Sequence, residues 1–259
     1  MRNNRKKLIS ILSVGLALLS SGCSTTVTSS FSKPTIQKQD QSKVGGLSSK
    51  DYMKLSHLTY HQKEQVVRQV NHGRSTLKFS SWRGNQVIYQ NLDYLNRTSG
   101  SNTAYLIKRN LANQAKRKRQ NVKPTGWHYP YRNGVQIYNR GHLIAYSLTG
   151  GINSFGHYTG QTAGDQNNPK NLFTQSAYTN QKIQTQYEEQ VRAAMRAGQR
   201  VIYQATPVFR GSELMARGIN LQAKSADGML NFNVYIFNVQ PGFVFNYQTG
   251  NVRVVCEKK

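Results

Sequence analysis

A chain of 259 residues with 35 Lys and Arg against 10 Asp and Glu carries a formal charge of +25, far from the balance of an ordinary soluble enzyme. So lopsided a surface argues for a polyanionic partner, with nucleic acid first and an anionic membrane or cell wall second. Cys23 and Cys256 are the only cysteines, which excludes a disulfide-stapled miniprotein and leaves the fold to rest on its own core.

The chain opens with Arg2, Arg5, Lys6 and Lys7, then an apolar run from Leu8 to Leu19, then Ser20-Ser21-Gly22-Cys23. A basic stretch, a short apolar stretch and a small-residue junction read as an export signal over residues 1–23. The run is shorter than the about 20 residues that span a bilayer. A Cys directly after small residues resembles a bacterial lipoprotein box, so Cys23 is the expected lipid anchor, holding the protein at the cell surface; without it the product would be secreted. Residues 24–48, rich in Ser, Thr, Gln and Lys, have the composition of a disordered tether. Residues 49–259 remain as one domain.

Ser49 to Val70 predicts one or two helices ending before Asn71-His72-Gly73, and His57, His61 and His72 there are expected as surface or packing histidines. Strands are predicted over 86–91 and 103–107, joined across a turn that holds Asn96, Arg97 and Gly100. Lys108, Arg109, Lys116, Arg117, Lys118, Arg119 and Lys123 follow with no acid among them. Such a run repels itself unless phosphates neutralise it, so Lys116, Arg117, Lys118 and Arg119 are candidates for tracking a nucleic-acid backbone. The aromatic stretch Trp127-His128-Tyr129-Pro130-Tyr131 can either join a core or stack unpaired bases.

Tyr138-Asn139-Arg140-Gly141-His142 sets a polar cluster between apolar residues, Val135 and Ile137 before it and Leu143 and Ile144 after it. This pattern predicts a strand end with an imidazole at the edge of a core. After a Gly- and Asn-rich loop and a short strand over 171–175, a helix is predicted to end near Gly198. At about 100° per residue, Asn180, Glu188 and Arg192 fall near 0°, 80° and 120°, one face of that helix. Ile183, Tyr187, Val191 and Ala194 form an apolar stripe beside it. Strands predicted over 200–203, 219–223, 232–239 and 244–247 complete an α+β domain with a mixed or antiparallel sheet.

Residues 85 to about 255 resemble the DNA/RNA non-specific endonuclease family, the ββα-metal nucleases, and within it the Gram-positive DNA-entry and secreted branch. The matching segments are Leu92-Asp93-Tyr94-Leu95-Asn96-Arg97, Lys123-Pro124-Thr125-Gly126-Trp127, Tyr138 to Ile144, Asn171-Leu172-Phe173-Thr174-Gln175, Asn180 with Tyr187-Glu188, and Phe232 to Gly242. The resemblance implies a ββα-metal core with flanking helices that cuts DNA, with RNA left open, and leaves 5′-phosphate ends. It implies His142 as general base, a neutral imidazole that can take a proton from water near working pH. It implies Asn180 as ligand of a single Mg²⁺, for which Mn²⁺ is a possible substitute; a lone protein ligand suits an ion that keeps most of its waters. Glu188 would accept hydrogen bonds from those waters, and Arg192 would hold a phosphate oxygen or orient Glu188. Arg97, Arg140 and Asn171 are expected against the substrate. Asn171 or Asn180 could be the ligand, and Asn180 is favoured because it alone has Glu eight positions later. Asn139 stands where many members carry Asp, which removes a charge near His142. The expected protein is a monomer; the rival reading is a non-catalytic surface receptor that captures DNA for uptake.

Overall fold

A computed structural model describes residues 41–255. The export signal, Cys23, the tether up to residue 40 and Cys256 lie outside the described residues. Two helices come first, α1 (Gln41–Val44) and α2 (Ser49–Ser56). Twelve strands follow in the order β1 (Val67–Gln69), β2 (Gln86–Ile88), β3 (Asn102–Leu106), β4 (Tyr131–Arg132), β5 (Val135–Gln136), β6 (Tyr138–His142), β7 (Leu172–Ser176), β8 (Val201–Val208), β9 (Gly218–Ser225), β10 (Asn231–Phe237), β11 (Phe243–Phe245) and β12 (Val252–Val254). A π-turn over Thr179–Gln184 runs into α3 (Thr185–Arg196) between β7 and β8.

The main sheet has the order β1-β10-β9-β8-β3-β2, and its neighbours all pair antiparallel. Both faces are covered, which is why β8 is buried at every position rather than at alternate ones. Val201, Tyr203 and Ala205 point to one face, where they meet Leu143, Ile144, Phe173 and the α3 residues Val191 and Met195. Ile202 points to the other and packs with Val44, Leu77 and Tyr105. Each buried Val, Leu, Ile, Phe or Met side chain here contributes about 1.5–3 kcal/mol relative to exposure. The predicted stripe of α3 thus docks the helix on the sheet: Val191 is buried, and Ile183, Tyr187 and Ala194 pack against the same core.

The N-terminal segment departs from expectation in two ways. Val44 and Leu47, inside the stretch expected as tether, are only 3% and 4% exposed and close the back of the sheet. The region 49–70 holds one short helix, capped by the Ser48 hydroxyl accepting from Asp51 N. The β-branched Val67 then enters the edge strand β1 against Ile236, where it fits better than in a second helix. Among the described residues no helix is long and apolar enough to cross a membrane.

On the front of this sheet β6 and β7 form their own antiparallel pair, with Asn139 opposite Gln175 and His142 opposite Leu172. Strand, strand, π-turn and helix make one unit, and its outer side is the wall of a cleft.

Candidate active site

The cleft has a volume of about 750 Å³, and Arg117, Asn139, Arg140, His142, Asn180, Glu188 and Arg192 all line it. His142 ends β6 and is 7% exposed. Its Nε2 lies 3.1 Å from the Gln166 carbonyl oxygen. A carbonyl can only accept, so Nε2 carries the ring proton and Nδ1 keeps its lone pair. Burial first, and then repulsion from Arg117, bring the His142 pKa down to about 4. The imidazole is therefore neutral at neutral pH, the state a proton acceptor needs.

Asn180 sits in the π-turn, a form of helix that recurs at functional sites. Its Nδ2 donates to Gln175 Oε1 at 2.8 Å, and its Oδ1 accepts from Asn139 Nδ2 at 3.0 Å. Asn139 therefore serves Asn180 rather than His142. Eight residues on, Glu188 Oε1 accepts from Gln184 Nε2 at 2.8 Å. Burial pushes the Glu188 carboxyl up, opposed by the Gln184 hydrogen bond and by the charges of Arg192 and Arg117. Arg192 Nη1 lies 3.8 Å from Glu188 Oε2 and donates to Ser147 Oγ at 2.9 Å, while its Nε donates to Glu189 at 2.7 Å. Arg192 is thus held from three sides and faces the cleft as a fixed cation.

The basic segment divides. Arg117 reaches the cleft with its guanidinium 5.2 Å from the Tyr146 ring centre. Lys116, Lys118 and Arg119 are exposed and lie outside the cleft lining. Arg140 stacks its guanidinium 4.3 Å from the Trp127 ring centre and donates through Nε to the Val122 carbonyl, so the basic segment is tied to β6. The aromatic stretch divides as well: Trp127 joins Ile137, Tyr138, Met215 and Phe245 in a small core, while Tyr129 is 77% exposed.

Two expected substrate contacts are corrected. Arg97 is buried at 7% exposure; its Nε donates to Asp93 at 2.8 Å, its Nη1 to the carbonyls of Gly211 and Glu213, and its charge stacks on Phe209. It closes a turn and has no path to the cleft. Asn171 is fully buried: Oδ1 accepts from Ile144 N at 2.9 Å, and Nδ2 donates to the Ile144 carbonyl at 2.9 Å and to Asp165 Oδ2 at 3.3 Å. It clamps the chain after His142 to the segment that carries Gln166, and so supports the imidazole from behind.

Gln175, Gln184 and the Gln166 carbonyl hold the site, and sequence reasoning assigned them no role. Gln184 was within reach, because at about 100° per residue it falls near 40°, between Asn180 and Glu188 on the polar face. Gln166 contributes only its main chain, which leaves no side-chain signal. Among the described residues no three His, Cys, Asp or Glu side chains converge as a metal cage. The oxygen donors at the cleft are the neutral Asn180 amide oxygen, with a second lone pair beyond its bond to Asn139, and the Glu188 carboxylate. This donor set fits a hard divalent cation that brings its own waters, and does not fit a closed thiolate or imidazole site.

A model of the DNA/RNA non-specific endonuclease family matches residues 24–252. NucA from Streptococcus agalactiae, in its structure with magnesium ion bound, superimposes with a TM-score of 0.65 at 28% identity, covering 80% of this chain and 98% of its own. Sda1 nuclease, in a structure with bound zinc ion, gives a TM-score of 0.55 at 19% identity over 76% of this chain and 100% of its own, a likeness of fold. A deoxyribonuclease of Streptococcus dysgalactiae subsp. equisimilis is 42% identical over 52 residues, which are 20% of this chain and 16% of that relative's length. The family's segments fall in order along these strands and around this cleft, and the chain belongs to the DNA/RNA non-specific endonuclease family.

Proposed function

We propose that this protein is an exported, Mg²⁺-dependent endonuclease that hydrolyses phosphodiester bonds of DNA without sequence preference and leaves 5′-phosphate ends. The observation that carries this reading is one cleft lined by a neutral imidazole with its Nδ1 unprotonated, by the Asn180 amide, and by the guanidinium groups of Arg117, Arg140 and Arg192. His142 Nδ1 takes a proton from the attacking water as its oxygen bonds to phosphorus and the bond from phosphorus to the 3′ oxygen breaks. Arg117, Arg140 and Arg192 hold the phosphate and offset the charge that builds on its oxygens. A divalent cation at Asn180 would polarise the phosphate and stabilise the departing oxygen; Glu188, fixed by Gln184, would orient that ion's waters. Base-edge readers are not required, because the cations address the backbone, which carries no sequence information.

Mg²⁺ is favoured by the oxygen-only donor set and by NucA, whose structure carries magnesium; Mn²⁺ is the expected substitute. Export rests on the basic and apolar N-terminal pattern, and surface anchoring on Cys23. Purified protein is incubated with plasmid and with RNA, with Mg²⁺ or chelator, and the ends of the products are labelled. Metal-dependent nicking with 5′-phosphate ends is expected. Binding without cleavage under any divalent metal would replace the enzyme by a DNA receptor.

A further inference from the structure

The Asn180 amide could face the cleft with either its oxygen or its NH₂, and only the oxygen can hold a cation. A run of buried amides sets the choice. Gln184 Nε2 donates at 2.9 Å to the main-chain carbonyl of His142, which can only accept, and at 2.8 Å to Glu188. That leaves Gln184 Oε1 to accept from Gln175 Nε2 at 2.8 Å, and Gln175 Oε1 to accept from Asn180 Nδ2 at 2.8 Å. With its NH₂ drawn inward, Asn180 turns its oxygen outward. Gln175 and Gln184 are both fully buried, so no water competes for these bonds. Space for the run comes from Gly141: a Cβ there would collide with Gln175 Oε1. This gives a physical reason for glycine between Arg140 and His142.

We propose that Gln184 is a positioning residue which, through Gln175, fixes the Asn180 carbonyl oxygen toward the metal position and ties it to the strand of His142 and to Glu188. The inference rests on the reading of Asn180 as metal ligand. The anchor is a main-chain carbonyl, so the polarity of the run holds whatever the charge on Glu188. The wide π-turn is part of the device, since it brings Gln184 inward while Asn180 stays at the cleft edge.

The test is Mn²⁺ binding to the full protein without DNA, read by electron paramagnetic resonance. Gln184→Met keeps the bulk and removes both polar ends. It should weaken Mn²⁺ binding by about 10- to 100-fold, as loss of a partner behind a metal ligand does, and leave DNA affinity in chelator unchanged. In an Asn180→Asp background either carboxylate oxygen can ligate, so orientation ceases to matter and adding Gln184→Met should cost less than about 3-fold. Equal loss in both backgrounds would mean that Gln184 only stiffens the helix. Parental Mn²⁺ affinity in folded Gln184→Met would overturn the inference while Asn180→Ala still loses the ion. Parental affinity in Asn180→Ala would overturn the ligand reading and this inference with it. Should Gln184→Met fail to fold, Gln175→Met breaks the same run one link closer to Asn180, with the same outcomes.

Discussion

Asn171 and Asn180 flank the same strand and carry the same side chain, yet they meet opposite surroundings. Asn171 lies before β7 with both ends of its amide committed to the Ile144 main chain and Asp165, and no part of it is exposed. Asn180 lies after β7 on a widened turn, with its NH₂ held inward and its oxygen at the cleft. Residue type supplies the donor and acceptor. Which atoms the backbone leaves unused decides whether an amide braces a site or faces a ligand.

Alanine at the two positions separates them most strongly. Asn180→Ala should lower turnover by at least about 100-fold through weaker metal binding, with excess Mg²⁺ restoring part of it and thermal unfolding little changed. Asn171→Ala should do the reverse, costing about 1–3 kcal/mol of stability because buried groups of Ile144 and Asp165 lose their partner, with no rescue by metal. Chemical denaturation and a metal titration on the same two variants separate these outcomes.

Arg97 and Arg117 offer a parallel contrast. Arg97→Ala takes the guanidinium away from the half-buried Asp93 carboxylate and from the Gly211 and Glu213 carbonyls and should cost about 1–3 kcal/mol in denaturant melts, whereas Arg117→Ala should leave stability near parental. On duplex DNA, Arg117→Ala should lower the log-log salt slope by up to about 0.9, one phosphate contact. Lys116, Lys118 and Arg119 lie outside the cleft, so an unchanged slope after replacing all three by Ala would mark them as solvated surface. A fall of two or more would give the whole run a role in tracking DNA.

The pH profile carries the smallest effect. With His142 brought down to about 4, its proton-accepting form persists well below the ordinary histidine range near 6.5, so the acid limb of kcat/KM should fall below pH 6. The unfolded chain protonates this histidine between about pH 6.5 and 4 while the folded chain does not. Stability should therefore drop as pH falls through that window, and His142→Ala should flatten that part of the slope.

Much of this was legible in the sequence. The α3 stripe and the grouping of Asn180, Glu188 and Arg192 follow from helical spacing, and β3, β7, β9 and β10 lie near their expected limits, while β8 runs on to Val208, five residues past its expected end. The losses have physical causes. Val44 and Leu47 are two apolar residues in a polar stretch, and only a sheet with an open back makes them core. Val67 sits in a helix-compatible pattern, and only the free edge of β10 makes it a strand. Arg97 follows a motif but spends its charge on Asp93, four residues before it. Chain order cannot show which partner a guanidinium finds first.

Cleavage rate and DNA affinity of His142→Ala, measured on one folded preparation across a Mg²⁺ titration, decide whether His142 takes the proton from the attacking water in this cleft. Turnover should fall by about 10²- to 10⁴-fold, with affinity close to parental and no recovery at high metal. A folded His142→Ala protein that cuts DNA at the parental rate would assign the proton transfer to another group.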